Sequence, residues 1–319
     1  VPEGTPAERN LKDAFPFSAG DRRFLVLTDW TIPIYEATDD RLATWVYRGS
    51  VDNESAECPN FFEVDGRWIY LSSPHEPVRY RIGNFDPVTA KFQPRTEGRM
   101  NHDMGFYAST AYRDNRGRTV LLGVTRGQKQ GMGWTGALAL PRILTIGPDD
   151  RPRMQPLPEL ESLRREPFTL NAPLALKSRE VVIKGLTGDS MEIYARFRAH
   201  GAKSFGLRVR RSADGTRFLP VQWSNGEVIV GRATPKYPCR YEIESETNEV
   251  VFRIFLDKGI LDACTADGRI FESRIHYAPL DDLQVSAFAE GGDVTLVSLD
   301  AWRMDQARID HSRLFSPAL

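Results

Sequence analysis

Cysteine is scarce in this chain of 319 residues: Cys58, Cys239 and Cys264 are widely spaced, odd in number and include no C-x-x-C pair. A disulfide framework and a dithiol redox motif are thereby excluded, and free thiols are expected. The five histidines, His75, His102, His200, His276 and His311, form no H-E-x-x-H or similar group, so spacing predicts neither a protein-held metal nor a cofactor. Charge of either sign in excess is also missing. Lys and Arg number 42 against 43 Asp and Glu, a formal net charge of −1, which provides no global field to draw the chain onto nucleic acid or anionic lipid. No window approaches about eighteen consecutive apolar residues, so no membrane-spanning helix is expected. Val1-Pro2-Glu3-Gly4 lacks the basic and apolar regions of a secretory leader. The chain does not open on methionine, and the expectation is that a leader or a larger N-terminal piece has been removed. Its compartment is not readable.

What is present is a hydrophobic fraction of 41%, enough for a substantial core, and a length that predicts two domains at roughly 150 residues each. From Arg22 to about Leu144, short β-type runs alternate with turn signals. The runs are Phe24–Leu27, Trp45–Tyr47, Arg67–Leu71, Val78–Ile82, Phe106–Tyr112, Thr119–Thr125 and Ala137–Ile146. Asp65-Gly66, Asn84 to Pro87 and Asp114 to Gly117 supply residues that tolerate turn angles. No sustained 3.6-residue periodicity separates the runs, so an all-β sandwich or propeller is predicted. The Pro-rich Pro148–Pro158 and the charged Glu159–Glu166 interrupt this rhythm, and the charged stretch is the one predicted short helix. From Phe168 onward about nine more runs follow, parted by Asp214-Gly215, Asn225-Gly226 and Asp267-Gly268. These hairpin signals predict a β-sandwich.

Four stretches carry the most chemical information. They are Glu57-Cys58-Pro59-Asn60-Phe61-Phe62, then Gly105-Phe106-Tyr107-Ala108-Ser109-Thr110, then Gly117 to Gly123, then Gly133-Trp134-Thr135-Gly136 running to Pro141-Arg142. In that order they resemble family 32 of the glycoside hydrolases, whose members show E-C-P-D-F-F-like, F-Y-A-S, G-R-R-I-L-x-G-W and W-x-G-x-x-S-x-P-R segments. Pro158 to Arg164 is similar to that family's link into its second domain, and Phe252 to Lys258 to its R-I-F-x-D-x-S strand. The resemblance spans nearly the whole chain. It implies a partial five-bladed β-propeller over residues 1–158, a linker over 159–167 and a C-terminal β-sandwich over 168–319, acting on β-fructofuranosyl bonds of sucrose or fructans.

The resemblance also implies roles. Family members cleave with retention through an acid/base and a nucleophile about 5 Å apart. Glu57 matches the acid/base, which lends a proton to the departing oxygen and later takes one from water. Asp13, in Lys12-Asp13-Ala14, stands where the family has the R-D-P aspartate that grips fructosyl hydroxyls. Lys12 keeps the charge of the arginine and loses its planar fork; Ala14 loses a fixed backbone angle. Asn60 replaces the usual aspartate and removes a negative charge beside Glu57. Lys12, Cys58, Asn60, Asp103, Tyr107 and Trp134 are the expected substrate-contacting set. From the residues alone, Glu57 reads as a solvated acid at a strand edge and Asp13 as an exposed loop acid. Tyr107 and Trp134 then read as strand core, and His102 as a satisfied loop histidine.

The family's nucleophile belongs to a W-M-N-D-P-N-G motif upstream of R-D-P, and nothing before Asp13 resembles it; Val1–Asn10 offers Glu3 and Glu8 in a polar stretch without a strand. Two expectations follow. One is a fragment of a longer enzyme, whose open propeller is covered by the remaining segment or by a dimer partner. The other is a fructan-binding relative that does not hydrolyse. An inverting pair of Glu57 with Asp13 or Asp103, set about 6.5–9.5 Å apart to admit a water, is a third possibility.

Overall fold

The computed structural model of the chain describes residues 11–231, 237–244 and 246–308. Val1–Asn10 with Glu3 and Glu8, expected to form no strand, His311, and the far end of the expected sandwich lie outside the described residues. Among the described residues no helix is long and apolar enough to cross a membrane.

Nearly everything is strand. β1 (Lys12–Ala19), β2 (Arg22–Thr28), β3 (Ile32–Ala37) and β4 (Trp45–Asp52) form a four-stranded antiparallel meander, and β5 (Glu57–Val64), β6 (Arg67–Ser73), β7 (Arg79–Asp86) and β8 (Lys91–Arg99) form a second. The third sheet has β9 (Tyr107–Arg113) and β10 (Thr119–Thr125), with the short β11 (Ala137–Leu138), β12 (Arg142–Ile146) and β13 (Pro152–Pro156) beyond them. The first strands of the sheets face one another: β1 packs on β5, and β5 on β9. Three meanders meeting at their inner strands are blades of a partial propeller.

The expected loop at Asp13 is a strand. Phe17 and Ala19 on β1 are buried while Lys12, Asp13 and Ser18 are exposed. Phe17 stacks on Phe24 at 5.2 Å and meets Phe61 edge-on at 5.0 Å, so aromatic burial holds this strand against its composition. Pro16 is tolerated because β1 is an edge of its sheet.

A shared backbone device marks the inner strands. Asp13, Cys58 and Ala108, each the second residue of its strand, have φ of 53°, 48° and 47°. Pairing slips between Lys12 and Phe15 and between Glu57 and Asn60, and on β10 between Leu122 and Val124 opposite β9. These are β-bulges, which bend a strand and re-aim its side chains. Left-handed backbone at a non-glycine residue costs roughly 1–2 kcal/mol, and here it recurs in three successive sheets.

The charged stretch forms a 3-10 helix only over Pro158–Leu163; Arg164–Thr169 is strand β14. The sandwich continues with β15 (Leu174–Lys177), β16 (Glu180–Thr187), β17 (Ser190–His200), β18 (Ser204–Arg211), β19 (Leu219–Ser224) and β20 (Glu227–Val230). It ends with β21 (Glu249–Asp257), β22 (Ile260–Thr265), β23 (Phe271–Ile275), β24 (Gln284–Glu290) and β25 (Asp293–Met304). One sheet runs β14-β25-β17-β21-β22-β23, with β15 beside β25; the facing sheet runs β16-β24-β18-β19-β20. Met191, Ile193, Ala195 and Phe197 alternate inward along β17 onto Phe205, Leu207 and Phe252, the period-two pattern of a sheet with one buried face.

The third blade and the sandwich share a core. Phe106, Leu121, Leu144 and Met154 cluster with Cys264 and Phe271 of the sandwich. Through this seam runs Arg142, fully buried, its guanidinium 4.0 Å from the ring centroids of both Phe106 and Phe271. It donates to the Phe271 carbonyl at 3.2 Å and to the Ser273 hydroxyl at 2.6 Å, and Asp262 lies 3.9 Å away. Burial pushes this guanidinium down to about 10 against the pull of Asp262 and Glu272, so it is charged at neutral pH. Gly105 makes the close approach possible: a Cβ there would stand 1.8 Å from the Ser273 carbonyl oxygen. Removing one member of a buried charged pair strands the other, at a cost of about 3–5 kcal/mol. Arg142→Ala is therefore expected to lower unfolding free energy by about that much in urea titration, and an effect below about 1 kcal/mol would count against the seam as a main support.

Candidate active site

The bulges bring Lys12, Asp13, Glu57, Cys58 and Tyr107, all at the starts of β1, β5 and β9, to one place. Two contacts cross-link the first two strands. Lys12 Nζ donates to Glu57 Oε1 at 3.2 Å, and the Cys58 backbone N–H donates to Asp13 Oδ2 at 3.1 Å. The Thr28 hydroxyl donates to the Ala56 carbonyl at 2.8 Å and lies 3.3 Å from the same Asp13 oxygen. Asp13 is thus held by the backbone beside Glu57.

The other oxygen of Glu57 faces the third blade. Tyr107 Oη lies 3.2 Å from Glu57 Oε2 and 2.8 Å from the Ser73 carbonyl, and accepts from the His75 N–H at 2.9 Å. His75 Nε2 stands 3.7 Å from Glu57 Oε1. Burial first, and the Glu57 charge after it, raise the Tyr107 phenol above its ordinary value, so it stays a neutral donor. Arg126 lies 4.4 Å from the Tyr107 ring centroid. With each oxygen anchored and its side chain 30% exposed, Glu57 is an oriented carboxyl open to a ligand, the geometry that proton transfer requires.

Glu57 opens on a cavity of about 200 Å³ lined by Lys12, Thr28, Asp29, Trp30, Ser55, Ala56, Glu57 and His75. A larger hollow of about 410 Å³ around Asp52, Tyr70 and Arg81 contains none of the expected site residues; the Arg81–Asp52 pair at 2.7 Å belongs to it. Chemistry, rather than volume, singles out the smaller cavity as the candidate site.

The remaining expected residues are placed elsewhere. Asn60 is buried, its amide donating to the Cys58 and Ser109 carbonyls at 2.9 and 2.8 Å and accepting from the Ala111 N–H at 2.8 Å; it clips β5 to β9 and turns no polar atom to the cavity. Cys58 adjoins the site through its backbone, and burial, then Asp13 and Glu57, push its thiol up to about 11. Asp103 faces the sandwich, 3.7 Å from Arg274. Trp134 lines a different cavity of about 410 Å³, with Lys258, His276 and Tyr277. Sequence reading missed Thr28, Asp29, Trp30 and His75. A signal exists for Trp30, a tryptophan in a polar turn straight after an apolar strand, and it is 78% exposed.

Residues 24–156 match the family model described as the glycosyl hydrolases family 32 N-terminal domain, and residues 159–303 match the family 32 C-terminal model. The chain is 26% identical over 296 residues to a levanase from Bacillus sp. (strain L7), covering 79% of this chain and 32% of that protein. It is 29% identical over 217 residues to a sucrose-6-phosphate hydrolase from Vibrio alginolyticus, covering 58% and 44%. Among solved structures, fructan 1-exohydrolase IIa from Cichorium intybus superposes with a TM-score of 0.81 at 19% identity, over 97% of this chain and 74% of that one. A family 32 β-fructofuranosidase from Bombyx mori superposes with a TM-score of 0.77 at 21% identity, over 95% and 68%. These likenesses establish the propeller-plus-sandwich fold. The chain spans about a third to about half the length of the curated relatives it matches.

The raised Cys58 thiol gives a test of the site's electrostatics. A thiol near 11 carries only about one thousandth thiolate at pH 8, and the thiolate is the species that is alkylated. Native Cys58 is expected to react slowly with iodoacetamide near pH 8. Asp13→Asn or Glu57→Gln removes a negative charge that opposes the thiolate, so each should lower the thiol's pKa and speed labelling, read by peptide mass spectrometry. Unchanged rates in both variants would remove the carboxylates as a cause.

Proposed function

Because the chain belongs to glycosyl hydrolase family 32, we propose that Glu57 and Asp13 are the acid/base and the transition-state stabiliser of a site that cleaves β-fructofuranosyl bonds in sucrose or fructans. The observation that carries this reading is the double cross-link Lys12–Glu57 and Cys58–Asp13, which holds Asp13 against the strand whose Glu57 lines the cavity. Glu57 protonates the departing glycosidic oxygen and then accepts a proton from the incoming water. Asp13 accepts hydrogen bonds from fructosyl hydroxyls, which strengthen as positive charge develops on the ring. Trp30 and His75 complete the wall. The chain divides, on this proposal, into a propeller portion through residue 158, a linker over 159–167 and a sandwich from 168 that backs the third blade.

Retention also requires a nucleophilic carboxylate about 5–5.5 Å from the acid/base. We assign it to polypeptide outside these residues, a reading supported by the share of the relatives' length that the chain spans. A second reading is a fructan binder that does not hydrolyse, which the same cavity serves without a second carboxyl.

Fructose release from sucrose, inulin and levan, with and without added formate, separates these readings, since formate is a small carboxylate able to stand in for the second carboxyl. Formate-dependent release that Glu57→Gln lowers by about 10²-fold or more supports the proposal, that being the typical worth of a positioned acid/base. Release without formate that Glu57→Gln abolishes would place the nucleophile within this chain, with Asp29 of the cavity wall the first residue to test. Release that Glu57→Gln leaves intact would refute the assignment of Glu57, and fructan binding without release in either condition favours the binder.

A further inference from the structure

Long stretches of sequence separate His102, Cys239 and Glu272, and no spacing motif links them. Folding places an imidazole nitrogen, the thiol sulfur and a carboxylate oxygen of these three residues within 4.8 Å of one another. They come from three segments: His102 from the turn between β8 and β9, Cys239 from the segment between β20 and β21, and Glu272 from β23. Cys239 and Glu272 are buried, and the His102 side chain is 21% exposed. We propose that this triad is a binding site for a divalent transition ion, zinc first, which staples the propeller portion to the sandwich.

The donor set is the first argument. Imidazole, thiolate and carboxylate are the zinc ligands of proteins, with bonds of about 2.0–2.1 Å to nitrogen, about 2.3 Å to sulfur and about 2.0–2.2 Å to oxygen. A tetrahedron with such bonds has edges of roughly 3.3–3.8 Å, so the triad closes on an ion by movements on the order of an ångström. The ion replaces the present contact in which His102 Nδ1 lies 2.9 Å from Glu272 Oε1, and it displaces the thiol proton of Cys239. Thiolate and carboxylate together neutralise a divalent ion, which removes the objection to burying one.

The surroundings are the second argument. Glu272 Oε2 is buried and accepts no well-formed hydrogen bond, although Arg274 Nη1 stands 3.1 Å from it. Arg274 in turn reaches toward Asp103 at 3.7 Å. Oε2 is thereby oriented by a neighbouring charge, and the lone pair of Oε1 that now faces His102 Nδ1 is the one that turns to the ion, as outer partners commonly orient ligating carboxylates. The His102 backbone N–H also donates to Oε1 at 2.8 Å, and Tyr237 N–H donates to the His102 carbonyl at 3.1 Å, so the ligand-bearing segments are already docked. Entry is open, because His102 also lines a cavity of about 650 Å³. Three protein ligands leave a fourth position for water.

The experiment uses the whole chain, stripped with a chelator and dialysed against micromolar zinc or cobalt(II). One zinc per chain by elemental analysis is expected, together with a sulfur-to-cobalt charge-transfer band in the near ultraviolet. Zinc should raise the melting temperature of the wild type. Cys239→Ser and His102→Gln should lose the cobalt band and the thermal shift, whereas Cys58→Ser should keep both. Absence of uptake overturns the proposal, as does uptake without a thiolate band or a band that persists in Cys239→Ser. The wild-type cobalt spectrum decides the matter even if a variant fails to fold.

Discussion

The arrangement depends on a backbone conformation that side chains normally avoid. At Asp13, Cys58 and Ala108 the chain turns left-handed one residue into an inner strand, and the bulge that results swings the neighbouring side chains toward the common centre. Without it, a regular pleat would fix Asp13 and Glu57 by simple alternation with the aromatic core, where a carboxylate is heavily penalised. Such strain persists only where the surroundings over-determine it. Here the surroundings are the clustered rings of Phe17, Phe24, Phe61, Trp68 and Phe85, packed mostly edge to face, and the Asn60 amide that bridges β5 to β9.

The site is therefore a property of the junction between sheets. No single blade holds it: Asp13 comes from the first, Glu57 from the second and Tyr107 from the third. The contacts among them are individually ordinary, at 3.1 to 3.3 Å, and their effect is positional. Each side chain's orientation is thereby settled by its neighbours before any ligand arrives, the preorganisation that the proposed chemistry requires.

Much of this was legible in the sequence where local pattern and burial agree. Thr119–Thr125 is a strand with the bounds its apolar run suggests, and β17, β18 and β21 follow their alternation. Illegible strands fail that agreement for identifiable reasons. β8 is largely exposed, so no apolar pattern marks it; β22 is buried on nearly all sides, so no alternation does; β13 opens and closes on proline. Ala137–Ile146 reads as one strand and is two, broken before Pro141. At the candidate site, the ordered motifs point to Glu57 and Asp13, which the fold brings together, while Trp30 and His75 enter only through loops that no motif marks. Asn60 shows the converse difficulty: a polar residue within a motif points to chemistry, yet its amide is consumed by backbone on both sides.

The buried arginine at the seam bears on modularity. The sandwich has a core of its own, yet Arg142 of the third blade finds its partners in Phe271, Ser273 and Asp262 of the sandwich, and the two also share a second apolar cluster. A sandwich from another source could be grafted onto these blades only if it carried a matching carbonyl, hydroxyl and acid at the same depth. Exchange of the sandwich alone would separate a buried charge from the groups that make its burial tolerable.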